Sequence, residues 1–564
     1  MSIPGSTRGH GLWALGLALF IAAPAYAAWV PAGTPICTAA GDMFRPAIAP
    51  DGSGGAYIAW EDWRSGGTQG VFMQHEDAWG NAQWVANGFR VCTDPSNEFS
   101  PAVIADGAGG VIVVWQDDRT AGESDLFAQR LDGSGARRWA AGGVLVRSGP
   151  GYAHTPVLCP DGAGGAIVAW NVIPGSSCVD TCSQFFVQHL TAAGTRGWPG
   201  TGGVAIYTAR GGIDSPSLVT DHAGGAIVVW GDQRNGDPDV FAQRVNSSGA
   251  MVWAGSGVPV CVESDAQSDP AAAVLDIGVL VTWDDYRFGD APYAYGQALD
   301  LSGTALAVDN GIPIAPGQSD QFARALQVAD GALIAFMGAP NIQKVDTDGV
   351  LQLGSSGVPL RPSCQGALAP VIVTDGGQGA IVFWQGSCDF VTYNLRAQRV
   401  NSMGTAQWVS DGLAMGPSAY GQAFFAAIAD GQGGAIAAWE DQRNGGFSIY
   451  AQKVTGGGVV APTTGVGPGA PARAFFAPPY PNPARGRTEL DFSLGAAGRV
   501  DVDVLDVSGR LVRHLAEAER FEPGEHALVW DGRDDAGQSA PAGLYLARVR
   551  AAGGEALHRI VMLR

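Results

Sequence analysis

The sequence predicts an all-β protein: an eight-bladed β-propeller, closed by an N-terminal strand in the last blade, followed by a small Ig-like β-sandwich. Three observations carry this. One unit recurs eight times. Each unit holds about four short strands. The phase of the repeat is offset, so that the chain opens with a fourth strand and ends without one.

The unit's first mark is Asp-Gly-x-Gly-Gly followed by a β-rich run ending in Trp. It stands at Asp51 to Trp60, Asp106 to Trp115, Asp161 to Trp170, Asp221 to Trp230 (with His222 second) and Asp430 to Trp439, with weaker copies ending at Trp283, Phe336 and Trp384. Trp60 and Trp439 lie 379 residues apart in seven steps, about 54 residues per unit. The run after the turn, as in Ala226-Ile227-Val228-Val229-Trp230, is continuously apolar and fits a strand covered on both faces. The second mark is an aromatic-x-Gln-Arg strand such as Phe127-Ala128-Gln129-Arg130, where His75 and His189 are variants of the last position. The third is Trp, then Gly four residues on, then a short apolar strand; it starts at Trp29, Trp84, Trp139, Trp253 and Trp408, is stretched after Trp198, and degenerates near Ala307 and Leu353. The strand from Trp29 to Cys37 precedes any complete unit, and the last unit runs into Gly456-Gly457-Gly458 without one. Pairing the two would fasten the ring and remove an open edge. An open β-solenoid is the alternative, and it leaves the offset unexplained.

Composition bounds the function. Hydrophobic residues make up 46%, enough for a substantial core. Charged residues are sparse at 15%, the net charge is -20, and the isoelectric point is near 4.7. This excludes a nucleic-acid coat and disfavours docking on anionic lipid. Residues 1–27 read as a signal peptide: Arg8 and His10, an apolar stretch from Gly11 to Ala23, then Ala25-Tyr26-Ala27 as a small-x-small cleavage pattern. The stretch is too short to span a bilayer, so the expected mature chain has no transmembrane span and is secreted or held at the outer cell surface.

Export permits disulfides among the eight cysteines. Candidates are Cys178 with Cys182 in one small loop and Cys364 with Cys388 across two nearby loops, whereas Cys37, Cys92 and Cys261 recur eight residues after a Trp as small buried residues. No histidine stands at zinc-ligand spacing from the Cys178/Cys182 pair, and no metal or cofactor is expected.

The organisation that follows is 1–27 signal peptide, 28–455 propeller, 456–472 Gly/Pro-rich linker, and 473–564 a second domain. In the last, Arg499 to Val507 alternates with period two, Ser508-Gly509-Arg510 turns the chain into Leu511 to Leu515, and Glu525 to Trp530, Gly543 to Val549 and Ala556 to Leu563 supply further strands. The motifs Tyr480-Pro481-Asn482-Pro483, Asp506-Val507-Ser508-Gly509-Arg510, Trp530-Asp531-Gly532-Arg533-Asp534 and Ala542-Gly543-Leu544-Tyr545 resemble the FlgD-like Ig domain. The same spacing is similar to the C-terminal sorting domain (type A) of type IX secretion cargo, which implies secretion machinery as a partner and delivery across the outer membrane. The blades also resemble repeats of secreted bacterial proteins, through Ala-Trp-x-Asp-x-Arg and Ala-Gln-Arg-Val.

The most suggestive chemical constellation is Trp-x-Asp-x-Arg after the second strand. It gives Asp62/Arg64, Asp117/Arg119, Asp232/Arg234, Asp285/Arg287 and Asp441/Arg443 as candidate ligand-binding residues. Such a ring could bind sugar hydroxyls, anionic groups or a peptide. Yet recurrence in five blades argues for a structural job: an Asp–Arg bridge bracing each turn, with Trp filling space between blades. Blades three, six and seven break the motif, which singles out the loop from Pro174 to Gln184 as a binding edge. No catalytic residue is identified. His154 and His222 have no nucleophile at recognisable spacing, and the only lysines are Lys344 and Lys453. Three functions stay open: a surface binding or scaffold protein recognising a glycan or protein, a polysaccharide hydrolase or lyase with carboxylates from different blades, and a purely structural surface component.

The tail is testable. If residues from Phe475 onward carry a sorting signal, a chain truncated before Phe475 is expected to accumulate in the periplasm, as read by cell fractionation. Unchanged surface delivery would contradict it.

Overall fold

The computed structural model describes residues 29–563 apart from 65–66, 121–122, 174–183, 209–215, 317–320, 338–339, 348, 362–366, 388–392, 417, 461–474, 477–478, 480–481, 495–497, 522–523 and 552–553. Among the described residues every regular element is a β-strand, and no helix is long and apolar enough to cross a membrane. The disulfide candidates Cys178, Cys182, Cys364 and Cys388, the leader, and the loop at 174–183 lie outside the described residues.

Eight four-stranded antiparallel sheets follow one another along the chain. Blade 2 is representative: Glu98–Ala105, Val111–Asp117, Asp125–Leu131 and Val144–Arg147. Second strands are the most enclosed, and all seven residues of Ala56–Asp62, Ala226–Asp232 and Ala435–Asp441 are buried. Their unbroken apolar runs are therefore explained by cover on both faces. Each first strand contacts the first strand of the next blade, and Gln422–Ala429 returns to Met43–Pro50, closing a ring of inner strands.

The eighth blade is assembled from both ends of the repeat. Thr34–Cys37 pairs antiparallel with Ser448–Val454, joining Thr34 to Ala451 and Cys37 to Ile449. Gln452 also donates its side-chain amide to the Val30 carbonyl. The offset in the repeat is thus a closing strand.

Neighbouring blades are locked by one recurring contact. In six of the eight blades the Trp ahead of the fourth strand lies on the turn glycine of the next blade and donates its indole N–H to a carbonyl there. Trp84 reaches Gly133 at 3.1 Å, Trp139 reaches Ala192 at 3.2 Å, Trp198 reaches Ser247 at 2.9 Å, Trp253 reaches Leu301 at 3.0 Å and Trp408 reaches Gly456 at 3.3 Å. Trp29, from the closing strand, does the same to Ala78 of blade 1 at 3.1 Å.

A second pair braces seven blades. The Asp of the Gly turn meets the basic residue of the third strand: Asp106 with Arg130 at 2.8 Å, Asp221 with Arg244 at 3.0 Å, Asp375 with Arg399 at 2.8 Å and Asp430 with Lys453 at 3.1 Å. His75 and His189 fill that place against Asp51 and Asp161, and Lys344 meets Asp330 in blade 6.

The C-terminal region forms two sheets. One holds Phe475–Phe476, Thr488–Leu494 and Gly524–Trp530; the other orders Leu511–Phe521, Gly498–Asp506, Gly543–Ala551 and Gly554–Met562. Leu490, Phe492, Val502, Val504, Trp530 and Ile560 make a shared core. The strand Thr488–Leu494 was not among those expected, although its Leu490 and Phe492 alternate with polar residues.

The Gly turn separates two kinds of glycine. Gly107 has φ +71° with open space beside it, whereas a β-carbon on Gly110 would stand 2.4 Å from the Leu131 carbonyl. Gly107→Ala is expected to cost about 1 kcal/mol for its left-handed backbone. Gly110→Ala should cost more, because the third strand must move; urea unfolding of the two variants checks the order.

Candidate functional site

The Trp-x-Asp-x-Arg residues fold into one repeated brace. Asp62 accepts the Trp60 indole N–H at 2.7 Å and is clamped by Arg64 through Nε at 2.8 Å and Nη2 at 2.6 Å. The same set forms around Asp117 with Arg119, Asp232 with Arg234, Asp285 with Arg287 and Asp441 with Arg443. Each guanidinium lies on a third-strand ring, 3.5 Å from the Phe127 centroid for Arg119 and 3.6 Å from Phe241 for Arg234. The five carboxylates are fully buried, so the motif offers a ligand only the guanidinium edge. Burial opposes ionisation of Asp117, but hydrogen bonds from Arg119 and Trp115 outweigh it and hold the carboxyl below its ordinary range. In blades 3 and 7, where Val172 and Gly386 replace the aspartate, the Trp170 and Trp384 indole nitrogens are buried without a hydrogen-bond partner among the described residues.

Cys37, Cys92, Cys159 and Cys261 are buried free thiols, each pushed up to about 12, chiefly by burial. Cys92, Glu98 and Asp117 bring ligand-type atoms together, but Arg119 sits on Cys92 and Asp117, and Arg90 lies 3.2 Å from Glu98. These guanidiniums occupy the place a cation would need.

A different set of residues converges at the mouth of the ring. Six of the eight inner strands slip register at a described non-glycine residue with positive φ: Arg45 (52°), Ser100 (47°), Thr155 (49°), Asp269 (50°), Phe322 (56°) and Phe424 (34°). Such bulges re-aim a side chain and free a backbone amide from the ladder. Three of the freed amides are taken by acids of the preceding blade: Arg45 N donates to Glu440 at 2.7 Å, Ser100 N to Glu61 at 2.7 Å, and Phe322 N to Asp284 at 2.8 Å. These acids occupy the variable place between Trp and Asp in the motif.

The mouth is richest where blades 7, 8 and 1 meet. Tyr420 and Phe424 are 65% and 68% exposed, large fractions for aromatic rings. A cavity of about 160 Å³ lies between Tyr393, Tyr420, Gln422, Glu440, Gln442 and Phe447. The Arg45 guanidinium lies 3.5 Å from Glu61 and 3.0 Å from the Ser100 hydroxyl, while its backbone holds Glu440. Burial, only partly offset by the Arg45 amide and reinforced by the Glu61 charge, raises Glu440 to about 7. Burial likewise raises Asp284 to about 7 against the Phe322 amide.

None of these mouth residues was singled out from the sequence. The signal was present: the place between Trp and Asp, and the place before the inner-strand Pro, vary from blade to blade while their neighbours repeat.

Residues 484–555 match the FlgD Ig-like domain. No sequence match was found among curated proteins. Similar solved structures include an α-L-arabinanase of Penicillium chrysogenum complexed with arabinobiose (13% identity, TM-score 0.32, covering 54% of this chain and 93% of that one). Others are the GH93 α-L-arabinofuranosidase of Fusarium graminearum with arabinobiose (12%, 0.31, 54% and 98%) and a protein of unknown function from Dyadobacter fermentans (9%, 0.32, 57% and 95%). At such scores the likeness assigns no activity, and the propeller rests on the sheet topology.

Two outcomes follow. Asp117→Ala leaves Arg119 and Trp115 facing a buried void and is expected to cost about 3 kcal/mol in urea unfolding. Glu98, Asp284 and Glu440 keep their protons up to about 7 in the folded chain but ionise in the ordinary carboxylate range when unfolded. Their contribution to stability is therefore present at mildly acidic pH and lost as pH rises through about 7. The Tm is expected to fall between pH 5 and 8 (about one proton per group), and Glu440→Gln should make that fall shallower.

Proposed function

We propose that the chain is an exported binding protein of the cell surface or extracellular space, whose propeller recognises a glycan at the ring mouth beside blades 7, 8 and 1. The observation that carries this reading is the pairing of exposed Tyr420 and Phe424 with the Glu440-lined cavity and Arg45. Aromatic faces pack against the C–H faces of sugar rings, and carboxyl, guanidinium and amide groups bond the hydroxyls. The buried Asp–Arg braces hold the loops of that face in place. In this reading the C-terminal domain serves sorting or anchoring.

A second reading has one observation in its favour. Glu440, which burial raises to about 7, stands beside Glu61 across Arg45, and glycoside cleavage uses a pair of carboxyls of which one is held protonated.

Binding of the full chain to a glycan array tests the first reading. Phe424→Ala and Tyr420→Ala should each weaken any glycan bound by about tenfold or more, with Tm unchanged because both rings are exposed. No glycan bound, or binding indifferent to both changes, would contradict it. Shortened sugars recovered from the wild type but not from Glu440→Gln would establish the second reading.

A further inference from the structure

Between blades 5 and 6 the locking contact is missing. Blade 5 carries Ala307 where six other blades carry the Trp, four residues ahead of Gly311 as Trp253 stands ahead of Gly257. Its Gly turn is shortened, and strand register places Leu275 where blade 2 has Asp106 and Ala298 where it has Arg130. The aspartate, arginine and tryptophan of the usual interface have all become small or apolar. At the next interface, by contrast, Leu353 lies against the turn glycine Gly404 and fills the space.

The two truncations, at Ala298 and Ala307, leave a cavity of about 150 Å³, lined among others by Leu275, Ala298, Ala307, Ile312, Val328 and Thr347. The receiving turn of blade 6 is intact: Asp346 N bonds the Val350 carbonyl and Gly349 N the Asp346 carbonyl, as Asp132 and Gly135 do in blade 2. Thr347 therefore stands where Gly133, Ala192 and Leu301 present the carbonyls that accept an indole N–H from the preceding blade. In blades 2 and 4 the arginine donates to that same next-blade carbonyl, Arg130 to Ala192 and Arg244 to Leu301. Blade 5 supplies neither donor. Ile277 and Leu306, both on the rim, are 48% and 42% exposed, so the cavity opens through an apolar collar.

We propose that this cavity is a binding site for a planar aromatic ring bearing one N–H donor, an indole-type group, seated as the absent tryptophan would be. The ring would pack on Gly349 between Leu275, Ala298 and Val328 and donate to the Thr347 carbonyl. An apolar cavity of this size has no use for water and takes up aromatic molecules instead. The chemistry is shared by a free indole-type metabolite and by a tryptophan side chain of a peptide. The site lies at the turns joining first to second and third to fourth strands, the opposite end of the blades from the mouth, and does not depend on what the mouth binds.

Calorimetric titration of the full chain with indole, and separately with N-acetyltryptophanamide, tests the proposal. Indole should bind one site. Ala307→Trp should raise Tm and weaken binding by about tenfold or more, and Trp253→Ala should add a second site at the preceding interface. If Ala307→Trp fails to fold, Ala298→Leu closes the cavity from the other side and must have the same effect on binding. Uptake of both probes would show that a peptide-borne ring can enter, and uptake of indole alone would assign the site to the free molecule. No binding of either probe, or undiminished binding by a folded cavity-filling variant, would overturn the proposal.

Discussion

The ring depends on one contact, made at six of its eight blade junctions: an indole from the entry to a fourth strand laid on the turn glycine of the next blade, its N–H on a carbonyl there. Sheets of four short strands are marginal alone, and their exposed faces must be covered by neighbours. The tryptophan supplies much of that cover and fixes the angle at which blades meet, because a directional hydrogen bond accompanies a large buried surface. Glycine is required beneath it, since a β-carbon at Gly135 or Gly303 would press within about 3.2 Å of the indole. Trp29 carries this contact across the join between chain ends, which makes the closing strand part of the ring.

The two ends of the blades divide the work. At one end, Asp–Arg pairs and indole contacts repeat and tie blade to blade. At the other, the Trp–Asp–Arg brace is buried, but the residue between Trp and Asp faces the neighbouring inner strand and is free to vary. It is Glu61 and Glu440 where Arg45 joins blades 8, 1 and 2, and Gly231 or Met337 elsewhere. Departures from the repeat thus appear at both ends: varied polar and aromatic groups at the mouth, and lost groups at the cavity between blades 5 and 6.

Much of the architecture was legible because it rests on local patterns. Continuous apolar runs ending in Trp mark enclosed second strands, and the unmatched strand at Trp29 marks the closure. The strand Thr488–Leu494 escaped notice among irregular neighbours, although Leu490 and Phe492 alternate as a half-buried strand should. The mouth was not legible, because its geometry is made by partners remote in sequence. Arg45 and Glu440 are 395 residues apart, and the positive φ that joins them falls on residues with no intrinsic preference for it. The Asp–Arg motif was conspicuous for the opposite reason, since a fully buried brace is the feature a repeat preserves most visibly.

The closed ring is tested most directly by the unfolding of Trp29→Ala set beside Trp84→Ala. Trp29 is 2% exposed and Trp84 1%, and each donates to the next blade at 3.1 Å, one across the join of the chain ends and one within the array. Both substitutions should lower stability by a similar amount, about 3–5 kcal/mol. A clear loss for Trp84→Ala with none for Trp29→Ala would contradict the closed ring.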